Sequence, residues 1–135
     1  MKKLNWQTEF LKMVGERSTE PFVWGKNDCA LFAADAVKIM TGTDYAEEFR
    51  GKYKTEAGAK RQLAKASDDG LVGVLNGKLE PIDPNLCQRG DVILFRTDLG
   101  PTTGIYWHGG AFTTSPDGVK LFDSIHNDII KAWRV

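Results

Sequence analysis

Apolar residues recur at helical spacing in the first half of the chain and alternate with polar ones in the second. Trp6, Phe10, Met13 and Val14 share one face of a predicted helix that Asn5 can cap and that ends near Gly15. From Cys29 to Gly42 the helical stretch is apolar almost all round, through Leu31, Phe32, Ala33, Ala34, Ala36, Val37, Ile39 and Met40. Only Asp35 and Lys38 are charged there, so this helix is expected in the middle of the domain. A third helix runs from a Thr55 cap to about Ala66, with Ala59 and Leu63 inward and Lys60, Arg61 and Lys65 on a solvated face. Between the second and third helices, Tyr45, Phe49 and Tyr53 sit on an amphipathic turn. They either cover one end of the core or line a cleft. Ser67-Asp68-Asp69-Gly70 is a turn, and Leu71 to Leu75, with branched residues around a glycine, fits neither template.

Beyond Pro81 the pattern changes. Pro81 to Gly90 reads as loop, and Asp91 to Arg96 as a strand. Gly104–Trp107, Gly110–Thr114, Val119–Phe122 and Ile129–Val135 follow as short strands, with Ser115-Pro116-Asp117-Gly118 the clearest turn between them. Helices first and an antiparallel meander second predict an α+β domain, and 135 residues make one domain, 1–135.

Composition narrows the classes. Eighteen basic and eighteen acidic residues cancel, which leaves neither a nucleic-acid footprint nor a polybasic membrane patch. The N-terminal Met-Lys-Lys-Leu-Asn-Trp has no apolar signal region, and no apolar run approaches membrane-spanning length. Two cysteines, Cys29 and Cys87, form no disulfide framework, and with two histidines they show no zinc-ligand spacing. The expectation is a protein that is cytoplasmic when made, without metal or cofactor, and with no nucleic-acid or membrane partner. Neutrality gives no guide to oligomeric state.

The chemistry centres on Pro21 to Met40. Trp24-Gly25 reads as a turn, Asn27 and Asp28 are both helix caps, and Cys29 falls in the first turn of the apolar helix. Unpaired backbone N–H groups and the helix dipole favour a thiolate there. A small apolar residue filling a helix start explains the same cysteine equally simply unless a histidine partners it.

Pro-Phe-Val-Trp-Gly-Lys-Asn-Asp-Cys-Ala-Leu-Phe resembles the tyrosine–tryptophan–glycine approach and Asp-Cys-Ser-Gly helix start of the NlpC/P60 superfamily, papain-like peptidases that mostly cut peptidoglycan stem peptides. Arg89-Gly90-Asp91-Val92-Ile93-Leu94-Phe95 resembles that superfamily's Gly-Asp strand, and Gly104-Ile105-Tyr106-Trp107 its Gly-Ile-Tyr strand. Together with Phe49-Arg50-Gly51-Lys52-Tyr53, Asp117-Gly118-Val119 and the terminal Ala132-Trp133-Arg134-Val135, these segments are similar to a compact phage and prophage branch, often grouped with tail genes. The resemblance spans nearly the whole chain. It implies a papain-like domain in which N-terminal helices, including a central one bearing the cysteine, pack on a C-terminal antiparallel sheet.

It further implies Cys29 as nucleophile, a histidine at the start of the Gly-Ile-Tyr strand as base, and a polar residue on the next strand that orients the imidazole. The histidine position falls on Thr102 or Thr103, neither of which is a base near neutral pH. The oxyanion-binding tyrosine falls on Phe22, and Asp-Cys-Ser-Gly becomes Asp28-Cys29-Ala30-Leu31. A shifted register, in which His108-Gly109-Gly110-Ala111-Phe112 supplies the histidine strand, would make His108 the base and Asp123 its orienting partner. His126 and Cys87 are expected to play no part. Two functions follow as expectations: a cysteine peptidase or amidase acting on cell-wall peptides, or an inactive papain-like domain with an assembly role among phage tail proteins, which would make it virion-associated. A thiol-dependent acyltransferase would share the Cys–His requirement and has no feature of its own.

Overall fold

The computed structural model describes residues 2–135. Four helices precede a six-stranded antiparallel sheet: α1 (Trp6–Glu16), α2 (Cys29–Thr41), α3 (Glu56–Ala66), α4 (Gly70–Lys78), then β1 (Glu80–Ile82), β2 (Val92–Thr97), β3 (Gly100–Trp107), β4 (Gly110–Thr113), β5 (Lys120–Phe122) and β6 (Ile129–Arg134). The strand order is β1-β6-β2-β3-β4-β5. Thus β2 to β5 form the expected meander. The last strand does not extend it: β6 crosses back to pair with β2, Val92 opposite Trp133 and Ile93 opposite Ala132.

The period-2 alternation of these strands splits the core in two. Val92, Ile105 and Trp133 face the helices and pack with Phe10, Phe32, Val37, Met40 and Leu75. Ile93, Phe95, Ala111 and Ala132 face the other way, into a smaller cluster closed by Ile125, Cys87 and Phe122. Helix α2 lies against β3 and β4 at the centre of the larger cluster. Its one inward-leaning charge, Asp35, is met by Arg17 at 2.6 Å and Arg50 at 2.5 Å, and Arg50 also grips Asp44 at 2.6 Å. A carboxylate on an apolar helix is tolerated because two guanidinium groups compensate it.

The structure resolves two open local readings and changes a third, the Pro81 loop. Leu71 to Leu75 lies inside helix α4, which docks by burying Val74 and Leu75. The Pro81 segment begins with an edge strand, β1, whose Pro81 needs no donor on the open side, followed by a 3-10 turn at Pro84–Leu86. Tyr45, Phe49 and Tyr53 are all buried in the main core and so do not line a cleft.

The Gly-Asp segment before β2 has a structural role. Asp91, fully buried, accepts from the backbone N–H of Gln88 at 2.9 Å and of Val135 at 3.1 Å, and from Arg134 Nε at 3.2 Å. One carboxylate therefore ties the last strand to the turn that starts β2.

Candidate functional site

The Pro21–Asp28 loop is held rigidly in front of α2. Gly25 has φ +80° and lies so close to Tyr53 that a Cβ would meet the Tyr53 carbonyl oxygen at 2.0 Å, so only glycine fits. Of the two candidate caps, Asp28 is the one used. Its Oδ1 accepts from the Leu31 N–H at 2.9 Å, while Oδ2 accepts from the Gly25 N–H at 3.0 Å and from the Tyr53 hydroxyl at 2.6 Å. Asn27 closes the loop differently, donating from Nδ2 to the carbonyls of Glu20 and Pro21 at 3.1 and 3.2 Å. Phe22 and Trp24 stack edge to face, with centroids 4.8 Å apart, on the approach to the helix.

Cys29 emerges at the first position of α2, half-buried, with its thiol against Thr103 of β3. The two threonines at the position where the resemblance expects a histidine face opposite ways. Thr103 is fully buried on the helix-facing side, whereas Thr102 points away to share a 3.1 Å contact with the Thr97 hydroxyl. Gly104, next in the chain, is kept small by the β4 backbone, since a Cβ there would meet the Phe112 carbonyl oxygen at 2.8 Å. The β3–β4 register pairs Ile105 with Phe112 and Tyr106 with Ala111. Continued two residues, it sets Thr114 opposite Thr103, and the Thr113 hydroxyl donates to the Thr103 carbonyl at 2.7 Å beside them. Thr103 and, in that continued register, Thr114 thus follow Cys29 along the helix-facing side of the sheet. Thr114 escaped the sequence reading, although counting across the hairpin from Thr103 would have reached it.

Electrostatically the site suppresses the thiolate. Burial pushes the Cys29 thiol above its ordinary range, and the Asp28 carboxylate next to it adds to the effect. Hydrogen-bonding groups of Thr103 and the Ala30 backbone offset only part of this. The helix terminus that was expected to favour a thiolate is outweighed by desolvation.

The other predicted residues lie elsewhere. His108 is exposed at the β3–β4 turn, with φ +46° followed by Gly109 at +83°, between the paired residues Trp107 and Gly110. Two consecutive left-handed residues make the tight two-residue hairpin turn. The His108-Gly109-Gly110 segment is therefore a turn, not the start of a histidine strand, and the shifted register is not adopted. Five residues of extended β3 separate His108 from Thr103, roughly 17 Å along the strand. Asp123 is exposed just past β5, accepting from the adjacent Ser124 N–H. The Ile125 N–H donates to the Gly109 carbonyl at 3.1 Å, so Asp123 and His108 belong to the same end of the sheet. Neither is brought to Cys29. His126 is exposed in the turn before β6. Cys87 is half-buried, its thiol pushed up to about 11 by burial and by Asp91. Among the described residues, no three His, Cys, Asp or Glu side chains converge as metal ligands, and no helix is long and apolar enough to cross a membrane. A groove of about 560 Å³ between α1 and α2, lined by Lys3, Arg17 and Lys38, does not touch Cys29.

The structure is similar to the crystal structure of the NlpC/p60 domain of peptidoglycan hydrolase SagA, with a TM-score of 0.60 over 95% of this chain and 97% of that one, at 15% identity. The likeness establishes a shared fold. By sequence, the chain belongs to the family described as Domain of unknown function (DUF6950), which it matches over residues 1–135. No curated protein matches it.

Proposed function

We propose that this chain is an NlpC/P60-like domain that does not hydrolyse peptides and acts instead as a binding or assembly component, with phage tail proteins as the partners that its sequence resemblance suggests. The observation that carries the reading is Thr103 beside Cys29. A hydroxyl accepts no proton near neutral pH, and Thr114, next along the sheet, supplies no base either. The raised thiol adds to this, because the thiolate is the nucleophile. Phe22 in place of a tyrosine removes the hydroxyl that would meet an oxyanion.

The test is incubation of the purified chain with peptidoglycan stem-peptide fragments, beside Cys29→Ala and His108→Ala variants. The proposal expects no fragment release above the Cys29→Ala background. Release that depends on both Cys29 and His108 would instead establish a cysteine peptidase or amidase.

A further inference from the structure

The groove between α1 and α2 encloses about 560 Å³, within the roughly 300–1,000 Å³ of small-molecule sites. The two helices run antiparallel along it. Arg17, just past the end of α1, pairs with Asp35 of α2 at 2.6 Å. At the other end the Lys3 N–H, ahead of α1, donates at 2.7 Å to the carbonyl of Met40, near the end of α2. Asp35 is saturated, since Arg50 holds its second oxygen. Ile39, half-buried, adds an apolar wall.

Away from that ion pair the charges are unpaired. Lys3, Glu9 and Lys38 all line the groove, and among the described residues none of them has an ion-pair partner. Asn5, at the cap position of α1, makes no side-chain cap bond and lines the same space. Helix dipoles account for part of this arrangement: Glu9 lies in the first turn of α1 and Lys38 in the last turn of α2. A helix terminus, however, carries only about half a unit charge. Two ammonium groups gather at the end of α2, because Lys3 Cε and Nζ stand 3.8 and 4.0 Å from where a Cβ on Gly42, the α2 cap, would be. The dipole offsets only a fraction of their charge.

We propose that this groove binds a small zwitterion, an amino acid or dipeptide with both ends free, its carboxylate on Lys3 and Lys38 and its ammonium on Glu9. The pattern of signs selects the ligand. A simple anion would meet the Glu9 carboxylate, and a simple cation would meet two ammonium groups; a molecule carrying both charges complements both. The Asn5 amide offers a donor and an acceptor to the peptide group between the ligand's ends. Exposed ion pairs are individually weak, so the affinity is millimolar. The groove does not touch Cys29, and the site stands whether or not that thiol reacts.

The experiment is an NMR titration of the isotope-labelled chain with glycylglycine, with its C-terminal amide and with its N-acetyl derivative. Glycylglycine should shift the backbone amides of Asn5, Glu9 and Ile39 saturably, and each closed derivative should bind roughly two- to fivefold more weakly, for the loss of one ion pair. In a Lys3→Gln/Lys38→Gln variant glycylglycine should bind no better than its amide, and in Glu9→Gln no better than its N-acetyl form. All of these side chains are exposed, and the spectrum of each variant reports its fold directly. Equal binding of the three probes to the wild-type chain would overturn the proposal. So would shifts confined to another surface, or no saturable shift at tens of millimolar glycylglycine.

Discussion

Thr103 of β3 lies directly against Cys29 of α2. The two residues come from elements far apart in sequence, and the β-sheet register is what joins them. Thr103 pairs with Leu94 on β2 and so faces inward, toward the helix. That placement puts a hydroxyl, and not an imidazole, beside the thiol.

Substituting Thr103→His should therefore move the Cys29 thiol. An imidazole there would stand within reach of the sulfur, and a paired imidazolium lowers a thiol by about 1–3 pKa units. Iodoacetamide alkylation in a Cys87→Ser background should become measurably faster near pH 7 than in the Thr103 parent. The larger side chain enters a fully buried site, so a stability loss of about 1–3 kcal/mol is expected in denaturant melts. An unchanged alkylation profile in a folded variant would mean that Thr103 is not at the imidazole position.

Asp28 depends on Tyr53. Removing the phenol in Tyr53→Phe leaves a buried carboxylate with two donors in place of three, the Gly25 and Leu31 N–H groups. Equilibrium unfolding should show a loss of about 1.5–3 kcal/mol, in the range for a hydrogen bond to a charged group.

The same groups set an alkaline limit. Burial raises Tyr45 and Tyr53 above the ordinary phenol range, Asp28 adds to the rise at Tyr53, and burial raises both cysteines. Each is neutral when protonated and retains its proton longer in the folded state. Their stabilising contribution is complete below the unfolded values of about 8.5–10 and is lost as pH climbs through the folded ones. Stability should be flat in this respect at neutral pH and decline above about pH 9. Tyr53→Phe should make the decline shallower, as followed by melting temperature across pH 8–11.

Gly25→Ala tests the loop. It forces a side chain into left-handed backbone and against the Tyr53 carbonyl, so a loss exceeding about 1 kcal/mol is expected, with the Tyr53–Asp28 contact disturbed. A neutral melt would show that the loop is less fixed than its hydrogen bonds indicate.

Much of this was readable in the residues because local signals were strong. Asp28 and Thr55 cap as their side-chain chemistry demands, and Asp91–Arg96 alternates as a strand facing two cores. Helix α4 was not readable: Gly70, Gly73 and Gly77 weaken its intrinsic propensity, and packing of Val74 and Leu75 onto the core sustains it. The return of β6 to β2 is a non-local pairing that no local pattern encodes. At the site, Cys29 and the Thr102–Thr103 pair were visible. The state of the thiol was not, because the helix terminus is a local feature and the desolvation that overrides it is tertiary. His108 misled because a Gly-Gly sequence after it fits a strand entry or a turn, and only its left-handed backbone decides.

The most direct measurement is the pH dependence of Cys29 alkylation by iodoacetamide in a Cys87→Ser background, with and without His108→Ala. The account predicts a thiolate that forms only above the ordinary thiol range of about 8.5, with superimposable profiles for the two proteins. A thiolate forming well below that range, and lost in His108→Ala, would contradict it and establish a working Cys–His pair.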